Sequence, residues 1–158
     1  MYDEAEIGGN NQSEDGGNDF GFDPDFPAEI LPECGKRHVF EIVAVSRVAD
    51  DQAPGFFTIL LSAKSLTQPE ADNRFIRLAS PRAVRETPGM QDIYKMRQRE
   101  SGAVHKATGW APGKDPDEAA VGKVFVGTPV KSKSGYINIR KIEAATADDM
   151  AVVPPRYR

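Results

Sequence analysis

The chain has little of the chemistry that disulfide scaffolds, zinc sites and most catalytic centres require. Its 158 residues include one cysteine, Cys34, and two histidines, His38 and His105. A single thiol forms no internal disulfide, and neither histidine belongs to an HExxH or H-x-E motif. We expect Cys34 to be a small half-buried residue beside Gly35, and both histidines to occupy surface or turn positions. The sequence therefore predicts no metal site and no cofactor.

Long hydrophobic runs are also absent. No stretch approaches the roughly 18 consecutive apolar residues of a transmembrane helix. The N-terminal sequence MYDEAEIGGNNQ has neither the basic start nor the apolar run of a signal peptide. We therefore expect a cytoplasmic protein that has no membrane partner.

Basic residues are missing from the N-terminal part of the chain. Residues 1–33 contain ten Asp and Glu and no Lys or Arg, whereas residues 34–158 contain 20 basic and 14 acidic residues, a net charge of +6. The tail is rich in Gly, Asn and carboxylates, a composition that buries too little apolar area to offset chain entropy. The sequence thus predicts a disordered acidic tail over residues 1–33, attached to a basic domain that attracts polyanions.

The second part of the tail differs from the first. Residues 1–19 are predicted to be a solvated acidic segment, whereas residues 20–33 place apolar side chains among Asp, Pro and Glu. These side chains are Phe20, Phe22, Phe26, Ile30 and Leu31. This pattern favours docking of an extended segment, either on the chain's own domain or on a protein partner.

Short β-rich runs predict five strands in the basic domain. Three of them occupy residues 36–49, 55–65 and 73–80, with breakers between the first two that indicate a hairpin. Two more lie within residues 122–145, where a turn at residues 133–135 indicates a second hairpin.

A helical region separates the two groups of strands. Ser80 and Pro81 predict the start of a helix, Pro88 and Gly89 interrupt it, and residues 90–100 continue it. We expect Ser101 and Gly102 to end the helix. Residues 104–122 then form a long connection with one short helical turn over residues 116–120.

The element order is three strands, a helix, a loop and two strands, which is that of an OB-fold barrel. The sequence therefore predicts a mainly β protein: a five-stranded OB-like barrel with one helical segment between the third and fourth strands. We assign residues 34–146 to an OB-like nucleic-acid-binding domain and residues 147–158 to a loosely held C-terminal extension.

Signals for an enzyme are weak. The segment GWAPGKD at residues 109–115 resembles a phosphate loop, but only three residues separate its glycines and Asp115 stands where Ser or Thr would hold magnesium. The acidic residues 115–118 lack the ligand spacing of a calcium loop and are better explained as helix capping. We predict that the protein is not an enzyme and has no catalytic residue.

Signals for nucleic-acid binding are stronger. Residues 53–142 contain 15 Lys and Arg and eight Asp and Glu, interleaved with aromatic residues. Cations follow a phosphate backbone and flat rings stack on bases, so a groove with both binds a single strand. An ordinary solvated surface is the alternative explanation of the same composition.

Strand alternation selects the candidate residues. If Ile76, Leu78, Ile137 and Ile139 face the barrel interior, their neighbours face outward. The predicted nucleic-acid-binding residues are Phe75 and Arg77 on the third strand, Tyr136, Asn138 and Arg140 on the fifth strand, Lys131 and Lys133 at the hairpin tip, and Lys106 and Trp110 in the long connection. Two alternatives stay open here: Phe75 is covered by the helix or the tail, and Trp110 is a core residue.

Residues 31–145 resemble the small OB-fold single-stranded DNA-binding proteins of phages and prophages. The resemblance rests on LPECGKRHVFEIVAV, on the central helix followed by a glycine loop, and on GKVFVGTPVKSKSGYINIRKIEAA, which is similar to the closing hairpin of that family. It implies cooperative coating of single strands in replication or recombination, in a bacterial or phage-infected host cell. It also implies that Tyr136, Asn138, Arg140, Lys131 and Lys133 lie near the nucleic acid. This chain departs from the better-known members in carrying its acidic segment at the N-terminus.

Two functions are compatible with these observations. The first is a single-stranded DNA-binding protein, with RNA as an alternative ligand, whose acidic tail competes for the basic groove or recruits a protein partner. The second is a protein-interaction or phage structural module that uses residues 20–31 to bind a partner. The sequence leaves homo-oligomerisation open.

Overall fold

The computed structural model describes residues 23–49, 57–79, 89 and 91–157. Within them the strands are β1 (His38–Ala49), β2 (Phe57–Ser65), β3 (Arg74–Ala79), β4 (Val124–Lys131) and β5 (Ile137–Glu143). The helices are α1 (Gln91–Thr108), α2 (Pro116–Ala119) and α3 (Ala147–Ala151), followed by a 3-10 turn, Pro155–Tyr157. All five predicted strands are confirmed. The predicted helix start at Ser80 and Pro81 and the tail up to residue 22 lie outside the described residues.

The strands form one antiparallel sheet in the order β3-β2-β1-β4-β5. β1 is long enough to pair with both β2 and β4, and its register shifts between Ile42 and Ala44, a bulge that increases the bend of the sheet. The two edge strands, β3 and β5, come into contact, so the sheet is a nearly closed barrel. With α1 between β3 and β4, this is the predicted OB-like architecture.

The barrel interior is built by the inward residues of the strands. Phe40 of β1 and Phe125 of β4 stack at its centre with ring centroids 5.6 Å apart. Around them pack aliphatic side chains from every strand, including Ile42, Leu61 and Ile76. Alternation of period two places these residues inside and their neighbours outside, which determines the side chains on the outer face of the barrel.

The helix α1 is longer than predicted. It continues through Ser101 and Gly102 to Thr108 and ends at Gly109, whose positive φ of 76° is the left-handed conformation that terminates helices. Burial of Val104 in the barrel core explains the difference. A glycine inside a helix costs about 1 kcal/mol, which is less than the gain from burying an aliphatic side chain. The short helix α2 confirms the predicted turn, and Asp115 caps it by accepting a hydrogen bond from the Asp117 amide.

The C-terminal extension is not loosely held, contrary to the prediction. Val153 is fully buried against Val39, Leu66 and Val126 on the outer side of the sheet. The helix α3 begins with a reciprocal capping box between Thr146 and Asp149. This second apolar cluster was missed because its members are spread over the whole chain.

Two predictions about single residues are wrong. Cys34 is exposed, not half-buried. His38 is buried instead of lying on the surface: its Nε2 atom donates to the Glu33 carbonyl oxygen at 2.9 Å, and its Nδ1 atom lies 2.9 Å from the Ser65 hydroxyl. In the described part of the chain, no helix combines the length and the apolar character needed to cross a lipid bilayer.

Candidate nucleic-acid interface

β3 presents an aromatic and a basic side chain on its outer face. Ile76 and Leu78 are buried in the barrel, whereas Phe75 is 55% exposed and Arg77 is also exposed. The predicted alternation is confirmed, and the described part of the chain does not cover Phe75. Arg77 makes no ion pair with any described residue.

β5 repeats this arrangement. Ile137 and Ile139 are buried, Tyr136 is 59% exposed, and Asn138 and Arg140 are half-exposed and exposed, respectively. The four ladders that connect β3 to β5 are all antiparallel, so these two strands run in the same direction. Phe75 near the start of β3 and Tyr136 just before β5 therefore occupy comparable positions on the two strands.

The contact between β3 and β5 brings both sets of side chains to one cavity of about 360 Å³, which we call the seam groove. The middle of α1 forms its third wall. The groove is lined by Phe75, Ile76 and Arg77 from β3, by Met96, Arg97 and Glu100 from α1, and by Tyr136, Asn138, Ile139 and Arg140 from the β5 region. Five of the nine predicted residues thus lie around one cavity.

The charges in the seam groove are mainly positive. Three arginines, Arg77, Arg97 and Arg140, line it together with one carboxylate, Glu100. Glu100 accepts a hydrogen bond from Arg140 at 2.6 Å, so part of the positive charge on β5 is already compensated. Sequence reasoning identified Arg140 but missed Glu100, because no local pattern links residues 40 positions apart.

The hairpin tip continues the interface beyond Tyr136. Lys131 and Lys133 are exposed and flank Ser132, whose hydroxyl accepts a hydrogen bond from the Tyr136 amide at 3.1 Å. Gly135 has a φ of 86°, a left-handed conformation that the tight turn requires. The turn therefore presents two exposed lysines at the tip of the hairpin, just before Tyr136 in the chain.

Lys106 and Trp110 lie around a different and larger cavity, of about 1040 Å³, between the second half of α1, the loop after it and the end of β5. Trp110 is only 5% exposed and belongs to the barrel core. Its indole N–H donates to the Lys114 carbonyl oxygen. The centroids of the Trp110 and His105 rings are 4.2 Å apart. Of the two roles left open for Trp110, the structure supports the core position, so we leave it out of the interface.

A segment before β1, whose position sequence reasoning did not give, docks on the domain. Residues 29–33, which we call the N-terminal clasp, run along the connection between β2 and β3. The amide of Ile30 donates to the Asp72 carboxylate at 3.1 Å, and the Asp72 amide donates back to the Ile30 carbonyl oxygen at 2.8 Å. Gln68 binds the backbone of Leu31 and Glu33 through its side-chain amide.

The N-terminal residue of the clasp contacts the start of β3. Glu29 forms an ion pair with Arg74, the first residue of that strand. The clasp thus docks on the chain's own domain, but through hydrogen bonds and this ion pair, because Ile30 and Leu31, two of the expected apolar anchors, stay 46% and 36% exposed. The receptor was not predictable, since it is a loop whose polar residues carry no recognisable pattern.

No family model matches the chain, and no curated protein matches it. The geometry of the barrel surface is therefore the basis for assigning a function.

Proposed function

We propose that the barrel binds single-stranded DNA in the seam groove, with little sequence preference and without catalysing a reaction. In this role it protects or organises single strands during DNA replication or recombination. The observation that carries the proposal is the position of two exposed rings, Phe75 and Tyr136, on two edge strands that meet at one groove lined by arginines.

The two rings support a single strand as the ligand. A large exposed aromatic side chain is unfavourable in water unless a partner covers it, and two at one cavity form a stacking platform. Bases are free to stack on such rings when they are unpaired, whereas a duplex holds its bases within its own stack. Every base has a flat face, so this mode of binding discriminates little among sequences.

The cations support a phosphate backbone that passes along the groove. Arg77 on β3 and Lys131 and Lys133 at the hairpin tip are exposed and make no ion pair with described residues. Arg77 follows Phe75 by two residues on β3, and the two lysines precede Tyr136 in the hairpin. Asn138 supplies the groove with an amide that both donates and accepts hydrogen bonds, which gives a modest contact to a base edge or a phosphate.

A titration of a fluorescently labelled single strand with the full chain tests the proposal, at about 0.05 M and about 0.2 M salt. We expect binding that weakens with salt, with a log–log slope of about −0.7 for each phosphate contacted, and weaker binding of a duplex of the same sequence. An RNA strand of the same sequence is the comparison that tests the choice of DNA. Absence of salt-dependent binding up to about 0.1 mM protein, the weak end of ordinary non-specific affinities, would contradict the proposal.

A protein-interaction module is the second candidate, and one observation favours it. Phe26 is 76% exposed and directly follows Asp25 in the acidic sequence DPDF, which begins at Asp23. An exposed ring between carboxylates is suited to a basic, apolar site on another protein. A stable complex with such a protein, combined with no retention on immobilised single-stranded DNA at low salt, would favour this function over the first.

A further inference from the structure

The C-terminal turn places a further ring on the outer side of the barrel. Tyr157, the last residue of the 3-10 turn, packs against the apolar cluster around Val153 and is half-buried there. The Lys64 Nζ atom lies 5.4 Å from the centroid of its ring, and the guanidinium carbon of Arg156 lies 4.9 Å from it. Packing thus fixes the position of the ring and leaves part of it open to solvent.

The register of the sheet connects this ring with Phe75. Phe75 of β3 pairs with Ser62 of β2, and Lys64 follows Ser62 by two residues, so all three side chains point outward. Diagonal neighbours of this kind on adjacent antiparallel strands are about 7–8 Å apart. Since Tyr157 lies over Lys64, the rings of Phe75 and Tyr157 belong to one stretch of the outer face.

Small side chains form the surface beside the two rings. Ser62 pairs with Ala44 of β1 on its other side, and Ser46 follows Ala44 with the same outward direction. Ala44 and Ser46 are exposed, and Ser62 is half-exposed. Short side chains at these positions leave room for a flat base to lie against the sheet.

The cations beside Tyr157 are available to phosphates. Lys64 and Arg156 make no ion pair with any described residue. This holds even for Glu41, the partner of Lys64 in the ladder between β1 and β2. A ring with positive charges next to it is the combination that binds a base together with its phosphate.

We propose that a single strand bound in the seam groove continues past Phe75 and across β2 to Tyr157. There a base stacks on the ring of Tyr157, and Lys64 and Arg156 bind phosphates. This continuation rests on the proposed function and extends its binding surface beyond the groove. The resemblance to phage proteins does not imply it, because Arg156 and Tyr157 follow residue 145, where that resemblance ends.

NMR spectra of the full chain, recorded while thymidine strands are added, test this path. Strands of about 4 and about 12 nucleotides represent short and long OB-fold sites. Both strands are expected to shift the amide signals of Phe75 and Tyr136. Only the longer strand is expected to shift the signals of Lys64, Arg156 and Tyr157 as well.

The outcome separates the continuation from the proposed function. Shifts at Phe75 and Tyr136 without shifts at Lys64 and Tyr157 under the longer strand would overturn the continuation and leave the proposed function in place. No shift at any of these residues, up to about 0.1 mM protein, would overturn the proposed function and the continuation with it.

Strand length also separates binding by Tyr157 from support of the fold. Tyr157→Leu keeps an apolar contact with the cluster around Val153 but has no flat ring. We therefore expect the longer strand to bind at least about fivefold more weakly and the shorter strand to bind as before. Tyr157→Phe keeps the ring and is expected to bind both strands as the wild type does. An equal loss for both strands in Tyr157→Leu would overturn the role of Tyr157 in binding.

A double variant, Lys64→Gln with Arg156→Gln, tests the phosphate contacts. For the longer strand, the slope of affinity against salt is expected to become shallower by about 1.4, since each contact contributes about 0.7. Lys106→Gln is the matched control, because Lys106 is an exposed cation that lines the other cavity. A change in slope no larger than that of the control would overturn the contacts of Lys64 and Arg156.

Discussion

The Nη1 atom of Arg140 lies 2.6 Å from the Oε2 atom of Glu100, across the seam groove from β5 to α1. Both side chains are partly exposed, and an ion pair of this kind contributes at most about 1 kcal/mol. A phosphate that binds Arg140 must therefore replace Glu100 and approach its carboxylate. The pair is therefore expected to make Arg140 contribute less than Arg77 to the proposed nucleic-acid binding.

Removing the carboxylate is expected to strengthen DNA binding. Glu100→Gln keeps the shape of the side chain and frees Arg140, so we expect the dissociation constant for a single strand to fall up to about fivefold at low salt. Arg77→Ala is expected to weaken binding more than Arg140→Ala does, and to make the salt slope shallower by about 0.7. Titrations over a range of salt concentrations measure both effects. Weaker binding by Glu100→Gln would contradict this account of the groove.

Replacing either ring of the seam groove is expected to weaken binding without unfolding the barrel. Base stacking contributes about 1–3 kcal/mol per ring, so Phe75→Ala and Tyr136→Ala should each raise the dissociation constant about 5- to 150-fold. Both side chains are largely exposed, so the thermal unfolding midpoint should change little. Phe57→Ala is the matched control, because Phe57 is 61% exposed but does not line the groove. An equal loss of affinity in all three variants would show that the seam groove is not the binding site.

The stability of the C-terminal extension is expected to depend on pH through Asp149. Hydrogen bonds from Arg37, and then from the Thr146 amide, hold the pKa of Asp149 well below its usual range. The folded state therefore binds fewer protons than the unfolded state. The stabilisation from Asp149 is complete above its ordinary pKa of about 3.9, declines as the pH falls below that value, and is lost as the pH passes the folded pKa.

Unfolding curves of the wild type and Asp149→Asn between about pH 7 and pH 2 measure this contribution. The variant is expected to be less stable at neutral pH, and the difference between the two proteins is expected to shrink in acid. Asp148→Asn, in the same helix and exposed, is the control. A difference that stays constant down to the lowest pH would show that Asp149 acts only through packing.

Two glycine-to-alanine changes are expected to have opposite effects on the stability of the folded protein. A Cβ atom at Gly127 of β4 would overlap the Ile139 side chain, so Gly127→Ala should displace β5 and cost about 1–3 kcal/mol. Gly102 lies inside α1 with no atom within 4 Å of an added Cβ, so Gly102→Ala should stabilise the protein by about 0.5–1 kcal/mol. Thermal unfolding measures both changes. Stabilisation by Gly127→Ala would show that the contact with Ile139 relaxes freely.

The aromatic part of the candidate site was predictable because alternation along a strand is a local property. Ile76 and Ile139 are apolar at positions where their neighbours are polar or aromatic, and this pattern alone orients Phe75 and Tyr136 outward. The length of α1 was not predictable in the same way. Gly102 is a local signal for a helix end, but the burial of Val104 on the barrel outweighs it.

Local patterns along the chain therefore specified the five strands, their inward and outward faces and the contrast between an acidic N-terminus and a basic body. Three contacts join residues more than 35 positions apart. They are the contact between β3 and β5, the ion pair of Arg140 with Glu100, and the ion pair of Arg74 with Glu29. Such contacts depend on how the barrel closes and on which side chains then come within hydrogen-bonding distance. They convert exposed residues that are separate in sequence into one groove, and they hold residues 29–33 on the connection between β2 and β3.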